Sequence, residues 1–259
     1  MTVSTSTILY DKRDHVAYIT LNRPEVLNAL NQELRDGLRQ ALLDFRDDPD
    51  LLVAIMTGAG GRAFSAGMDL KDRARRDAAG EQRPGLRATF LDMEIFKPII
   101  AAIDGFCVAG GLELSLQCDI RIATEQSEFG LPEPRWSLTA GYGLHNLSRM
   151  IPLGEALYMQ LTGRRITSAR AYQIGLIQEV VPDRDALFAT AECIAGEIKL
   201  CAPLAVHAIK QIVYQGRNLP VEYSQKLGAP LSAQVHASED AIEGPRAFAE
   251  KRTPVWQVR

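Results

Sequence analysis

Residues 104–123 read DGFCVAGGLELSLQCDIRIA. The leucine-rich segment 112–118 has helix-forming composition, and DIRIA at 119–123 has the β-branched character of a strand. Between 104 and 111 the glycines of Ala109-Gly110-Gly111 force a turn. Just upstream, PIIAAI at 98–103 is an unbroken apolar run of strand length. Strand, turn, helix and strand in this order imply βαβ units and a mainly parallel sheet.

Working outward, HVAYITLN at 15–22 reads as a strand closed by Arg23-Pro24. Segment 31–46 carries Leu34, Leu38, Ala41, Leu42 and Phe45 at spacings of three and four, an amphipathic helix. LLVAIMT at 51–57 suits a buried strand, and the glycines of 58–61 force a loop after it. Residues 71–87 are charged and nearly free of large apolar side chains, as expected of a short helix and then a mobile surface loop over a site. Beyond Gly154 the pattern turns helical at 155–162, 168–174, 184–199, 203–215, 221–234 and 240–251, with only 178–181 strand-like. Pro152, Pro182, Pro203, Pro220 and Pro230 are expected to start or break these helices. The fold class is therefore α/β, a body of strands and helices followed by a helical tail.

Composition excludes several functions. The 259 residues hold 29 Lys and Arg against 32 Asp and Glu, with no basic block to attract nucleic acid. Cys107, Cys118, Cys193 and Cys201 form no C-x-x-C pair, as expected of mostly buried thiols in a cytoplasmic protein. The first residues lack an apolar signal core, and no 18-residue apolar run suggests a membrane span.

Four motifs invite chemistry. Gly58-x-Gly60-x-x-Ala63 matches the dinucleotide fingerprint, but Gly67 interrupts the helix it must open and no acid falls at the ribose position. Ser65, inside AFSAG at 63–67, loosely resembles a nucleophile elbow. The glycine loop separates it from the strand an elbow needs, and nothing ties His145, His207 or His236 to it as a base. The four histidines lack zinc spacing, no metal site is expected, and His15 reads as a structural strand residue.

FSAGMDL at 64–70 and AGGLE at 109–113 are a better pair. Each is a turn between strand and helix that leaves backbone N–H groups unpaired. Two such donors converging on one oxygen make an oxyanion hole. Glu113, in the first turn of a helix, and Glu133, between Pro132 and Pro134, add two carboxylates. Each also has an ordinary reading, as a helix-start charge and a solvated loop acid respectively.

Together, LNRP at 21–24, LNAL at 27–30, FSAGMDL, the 104–123 stretch, FGLPE at 129–133 and EKRTPVW at 250–256 resemble the crotonase (enoyl-CoA hydratase/isomerase) superfamily, in order along almost the whole chain. The resemblance implies a ββα spiral core, taken as residues 1–195 with the acyl-CoA site. It also implies a helical C-terminal trimerisation region, 196–259, and a homotrimer or dimer of trimers. By position, the N–H groups of Met68 and Gly110 would form the oxyanion hole, and Glu113 and Glu133 the catalytic pair. Ala66, Met68 and Leu70 would meet the adenine, Lys71 the CoA phosphates and Val26 the pantetheine.

The implied activity is hydration of a 2-enoyl-CoA. Coenzyme A is then part of the substrate, and no separate cofactor is needed. Where many hydratases carry a small Pro-Gly-Ala-Gly-Gly-like stretch, this chain has TAGYG at 139–143. Tyr142 there is expected to narrow or polarise the acyl pocket. Trp136 reads more readily as a core residue than as part of that pocket. An isomerase, hydrolase, decarboxylase or carnitinyl-CoA-type dehydratase of the same family stays open, as does a non-catalytic acyl-CoA-binding protein.

Overall fold

A computed structural model describes residues 7–80 and 89–257. Ile8–Arg13 (β1) and Val16–Leu21 (β2) form an antiparallel hairpin, and its turn takes Asp14 and His15 through positive φ. His15 is thus an exposed turn residue whose Nδ1 meets the Asp50 carbonyl, not a strand residue. Asn31 caps Gln32–Asp47 (α1) by accepting from the Leu34 N–H, and the expected apolar stripe of α1 is buried.

From here the chain repeats one move. Val53–Gly58 (β3) enters a large sheet, Ala63–Ser65 (β4) enters a small one, and Leu70–Ala78 (α2) follows. Ile99–Ile103 (β5), Phe106–Val108 (β6) and Gly110–Ser115 (α3) repeat it. So do Ile120–Thr124 (β7), Glu128–Gly130 (β8) and Tyr142–Asn146 (α4), with a 3-10 turn at Glu133–Trp136 between the last two. This is a ββα spiral. Leu153–Thr162 (α5), Arg165–Thr167 (β9), Ser168–Gln173 (α6), Glu179–Val181 (β10) and Arg184–Lys199 (α7) complete the two-sheet part.

Among the described residues the large sheet runs β1-β2-β3-β5-β7-β10 and the small one β4-β6-β8-β9. Only β1–β2 and β8–β9 pair antiparallel. The expectation of one mainly parallel sheet is corrected to two. β4, β6, β8 and β9 have three residues each, too few to show a period in sequence.

Every residue of β3 and β5 is buried, because the large sheet is covered on both faces. Ala54 and Met56 pack with α1 in the main core. Val53 and Ile55 pack with Leu187, Ala191 and Ala195 of α7 in a second cluster. Burial on both sides explains why LLVAIMT and PIIAAI lack alternation.

The tail is Pro203–Gly216 (α8), Val221–His236 (α9) and Asp240–Glu250 (α10). Pro230 lies inside α9 and does not break it. Ile242, at 70% exposure, and Phe248, at 87%, stand out into solvent on α10. Trp136 is 68% exposed and is no core residue. Two of the four cysteines, Cys193 and Cys201, are exposed, against the expectation of burial. The α2 helix lies in the charged stretch as expected, while the 81–87 part of the loop read there falls outside the described residues. No described helix is long and apolar enough to cross a membrane, and no described cluster of His, Cys, Asp or Glu has the makings of a metal site.

Candidate active site

Gly67 and Ala109 bring the two glycine turns into contact. A Cβ on Gly67 would lie 2.6 Å from the Ala109 Cβ and 2.7 Å from the Gly110 nitrogen, and Gly67 has φ of +85°. Gly111 lies against Ser65 so closely that a Cβ would stand 2.2 Å from the Ser65 carbonyl oxygen. Only glycine permits either approach. Ala109 itself adopts φ 50°, ψ −130°, a backbone strain of order 1–3 kcal/mol that the surrounding packing must hold.

The result brings the Met68 nitrogen close to Gly110; a Cβ on Gly110 would be 3.6 Å from it. Leu30 bridges the first turn by donating to the Gly67 carbonyl at 2.7 Å and accepting from Asp69 at 3.3 Å. That pairing engages the residues either side of Met68 and directs its own N–H away from the bridge. Gly110 is the first residue of α3, where the N–H has no acceptor within the helix.

Polar side chains that the sequence reading quoted as motif but gave no role hold this loop. Buried Asn28 donates from Nδ2 to the carbonyls of Ala63 (2.7 Å) and Ala59 (3.0 Å), and its Oδ1 accepts from the Arg23 N–H. The Arg23 guanidinium donates to the Ala29 carbonyl and pairs with Asp69 at 3.0 Å. Ser65, fully buried, donates its hydroxyl to the Asn28 carbonyl and accepts from the Gly67 N–H. Ser65 is therefore a strut, which disposes of the nucleophile-elbow reading. The signal for these struts was present in sequence as an asparagine, an arginine and a serine set in an apolar frame.

Glu113 sits one turn into α3, and its Oε1 accepts from the Gly143 N–H at 2.8 Å, tying α3 to α4. Buried Arg121 anchors the far end of α3, donating to the carbonyls of Ser115 and Cys118. Glu133, at the start of the 3-10 turn, has its Oε2 buried with no hydrogen-bond partner. Its removal from water, with the nearby Glu113 charge as a lesser cause, pushes its carboxyl from 4.5 up to about 7. The fold thus brings the two glutamates within electrostatic reach of each other.

The remaining site residues divide. Ala66 and Met68 are partly buried on the oxyanion loop, while Val26, Leu70 and Lys71 stand exposed at its outer edge. Tyr142 starts α4 next to Gly143 and is half-buried, and burial raises its phenol above the usual range. It lines a cavity of about 290 Å³ together with Phe90, Gln117 and Tyr214. Residues of that cavity other than Tyr142 escaped the sequence reading, because they come from four separate stretches of chain.

With this geometry in place, comparison with known proteins is specific. The enoyl-CoA hydratase/isomerase family model matches residues 11–259, and the chain belongs to that family. An enoyl-CoA hydratase, EchA19, of Mycobacterium tuberculosis is 40% identical over 97% of this chain and 96% of its own. The (E)-benzylidenesuccinyl-CoA hydratase of Thauera aromatica is also 40% identical, over 94% of this chain and 96% of its own. A crystal structure of an enoyl-CoA hydratase from Mycobacterium tuberculosis H37Rv superposes with a TM-score of 0.91 at 35% identity, covering 98% of this chain and all of that one.

Proposed function

We propose that this chain is an enoyl-CoA hydratase, adding water across the 2,3 double bond of a 2-enoyl-CoA thioester. The Met68 and Gly110 N–H groups donate to the thioester carbonyl oxygen, drawing charge onto it and making C3 electrophilic. Glu113 takes a proton from water as its oxygen bonds to C3, and Glu133 protonates C2 of the resulting enolate. One proton leaves water and one reaches carbon, so the pair ends with its proton moved from Glu133 to Glu113. The two acids act as one titrating unit.

The observation that carries this reading is the half-buried Glu133 carboxyl near Glu113, one oxygen of which is buried with no hydrogen-bond partner. Its pKa of about 7 leaves it protonated often enough at neutral pH to act as a general acid. The Gly143 N–H orients Glu113 and leaves its second oxygen to accept from water.

Val26, Ala66, Met68 and Leu70 take the adenine and pantetheine of the substrate, and Lys71 its phosphates. Coenzyme A belongs to the substrate, and the reaction as drawn calls for no added cofactor or metal. The exposed apolar side chains of the tail, among them Val221, Ile242 and Phe248, support burial against further copies of this chain in a trimer or dimer of trimers. The buried free thiols of Cys107 and Cys118 suit a reducing cytoplasm.

The test is loss of the enoyl thioester absorbance on addition of the chain to crotonyl-CoA and longer enoyl-CoAs in the presence of EDTA. Hydration is expected. Double-bond migration without hydration would assign an isomerase instead, and activity lost in EDTA but restored by a divalent ion would overturn the mechanism. Sedimentation at micromolar concentration should show a multiple of three chains, and a monomer would overturn the assembly.

A further inference from the structure

We propose that the acyl group this site is built for carries a carboxylate at its far end, bound by Arg217. This deepens the hydratase reading and rests on it. The cavity lined by Tyr142 reaches the catalytic helix at Gln117, in the turn that follows α3, whose side-chain amide donates to the Glu113 carbonyl at 3.4 Å, and Tyr142 itself adjoins the Gly143 N–H that holds Glu113. At about 290 Å³ it is far larger than the methyl group that ends a four-carbon chain.

Its walls are not those of a fatty-acyl tunnel. Phe90, Leu91, Ile95 and Phe96 are apolar, but Asn146, Asn218 and Arg217 share the lining with Tyr142 and Tyr214. A plain alkyl chain entering there would strip water from these groups and return no hydrogen bond, which is costly.

The charges decide what fits. Lys210 also lines the cavity but is already committed, with Asp119 at 2.8 Å and the Lys97 carbonyl at 2.8 Å. Asp92, at the rim, is held by the Thr89 hydroxyl and N–H. Arg217 makes no ion pair among the described residues. It donates to the Asn146 Oδ1 at 3.0 Å, and Asn146 in turn donates from Nδ2 to the Tyr142 carbonyl at 3.0 Å. The amide is clamped at both ends, and Arg217, exposed at the cavity's lining, also stands 5.9 Å from the Tyr214 ring centroid, with no acceptor other than Asn146 for its N–H donors among the described residues. A carboxylate there gains charge-assisted bonds from a fork already in position, and Tyr142 offers a further O–H.

The experiment compares kcat/KM for two six-carbon 2-enoyl-CoAs, one ending in a carboxylate and one in a methyl group, with crotonyl-CoA alongside. A charged hydrogen bond of this kind corresponds to about a tenfold preference or more for the carboxylate. In Arg217→Met that preference should collapse to near unity, and Arg217→Lys should restore part of it. Circular dichroism and melting of both variants report that they are folded. Crotonyl-CoA hydration with an equal or greater rate on the methyl-ended chain would overturn the inference and leave the hydratase reading standing. Retention of the preference in Arg217→Met would overturn it as well. Failure on every enoyl-CoA would overturn both together.

Discussion

The wall of the site that carries Met68 and Gly110 and the wall that carries Glu113, Glu133 and Tyr142 are held in unlike ways. In the first, the functional atoms are backbone. Buried Asn28, the Arg23–Asp69 pair, the Ser65 hydroxyl and two glycine approaches too close to admit a Cβ all lock the same turn. In the second, the functional atoms belong to side chains. Glu113 is fixed by one N–H, and Glu133 has an oxygen with no partner at all. An over-determined wall suits the fixed task proposed for it, stabilising an oxyanion. A loosely tied wall suits the proton exchange proposed for the two carboxylates, and the cavity lined by Tyr142 and Arg217 is held by equally few bonds.

The side-chain wall breaks most easily at its chemistry. Glu113→Gln or Glu133→Gln should each lower kcat on the best enoyl-CoA by about 10²–10⁴-fold with little change in KM. The double variant should be scarcely slower than the worse single one, since the two act together. Near-normal hydration by Glu113→Gln would return that glutamate to a helix-start charge.

On the backbone wall, Gly67→Ala puts a methyl group against Ala109 and the Gly110 nitrogen and forces alanine to a φ of +85°. It should cost about 10²–10³-fold in kcat, the magnitude seen when one oxyanion donor is displaced. The pH profile set by the glutamates should stay where it was. A shifted profile would mean that the two walls are not independent.

Asn28→Ala separates holding from chemistry. It strands two carbonyls and the Arg23 N–H in a buried setting, so urea unfolding should register a loss of about 2–4 kcal/mol. Asn146→Ala, on the other wall, should cost under about 1 kcal/mol, as for a more exposed polar group. Equal losses would erase the contrast.

The smallest effect has a definite sign. The Glu133 carboxyl titrates near 7 when folded against 4.5 when free, so the folded state binds its proton more tightly. Stability from this group is fully present below about pH 4.5 and is lost as pH rises through 7. Glu133→Gln escapes that loss and should be more stable than the parent above pH 7 by about 1–2 kcal/mol, with solvent screening of a half-buried group allowed for. Below pH 4.5 the difference should vanish in thermal melts. Parent activity should fall above about pH 7 in both hydration and dehydration, because both directions draw on the singly protonated pair.

Much of this was legible before any coordinates. The α1 stripe, α7 at Arg184–Lys199 and the buried strands β3 and β5 follow from periods and apolar runs that local chain geometry imposes. The close approach of the two glycine turns was legible because such an approach needs glycine, and glycine is visible at any position. The small sheet was not, since three-residue strands carry no period and exist only through their neighbours. Trp136 misled for a related reason: a large apolar side chain predicts burial in general but does not say on which face of a turn it lies.

The sequence by itself determined the longer helices and the buried strands of the large sheet, the order of the motifs and the family, because these depend on residues near one another or on a fixed succession along the chain. Only the tertiary structure decided that Ser65 is a strut, that one Glu133 oxygen is buried without a partner, and that Arg217 reaches across from the end of α8 to Asn146 on α4. Each of those depends on desolvation or on a hydrogen bond between residues far apart in the chain, and no local pattern encodes the distance across which they meet.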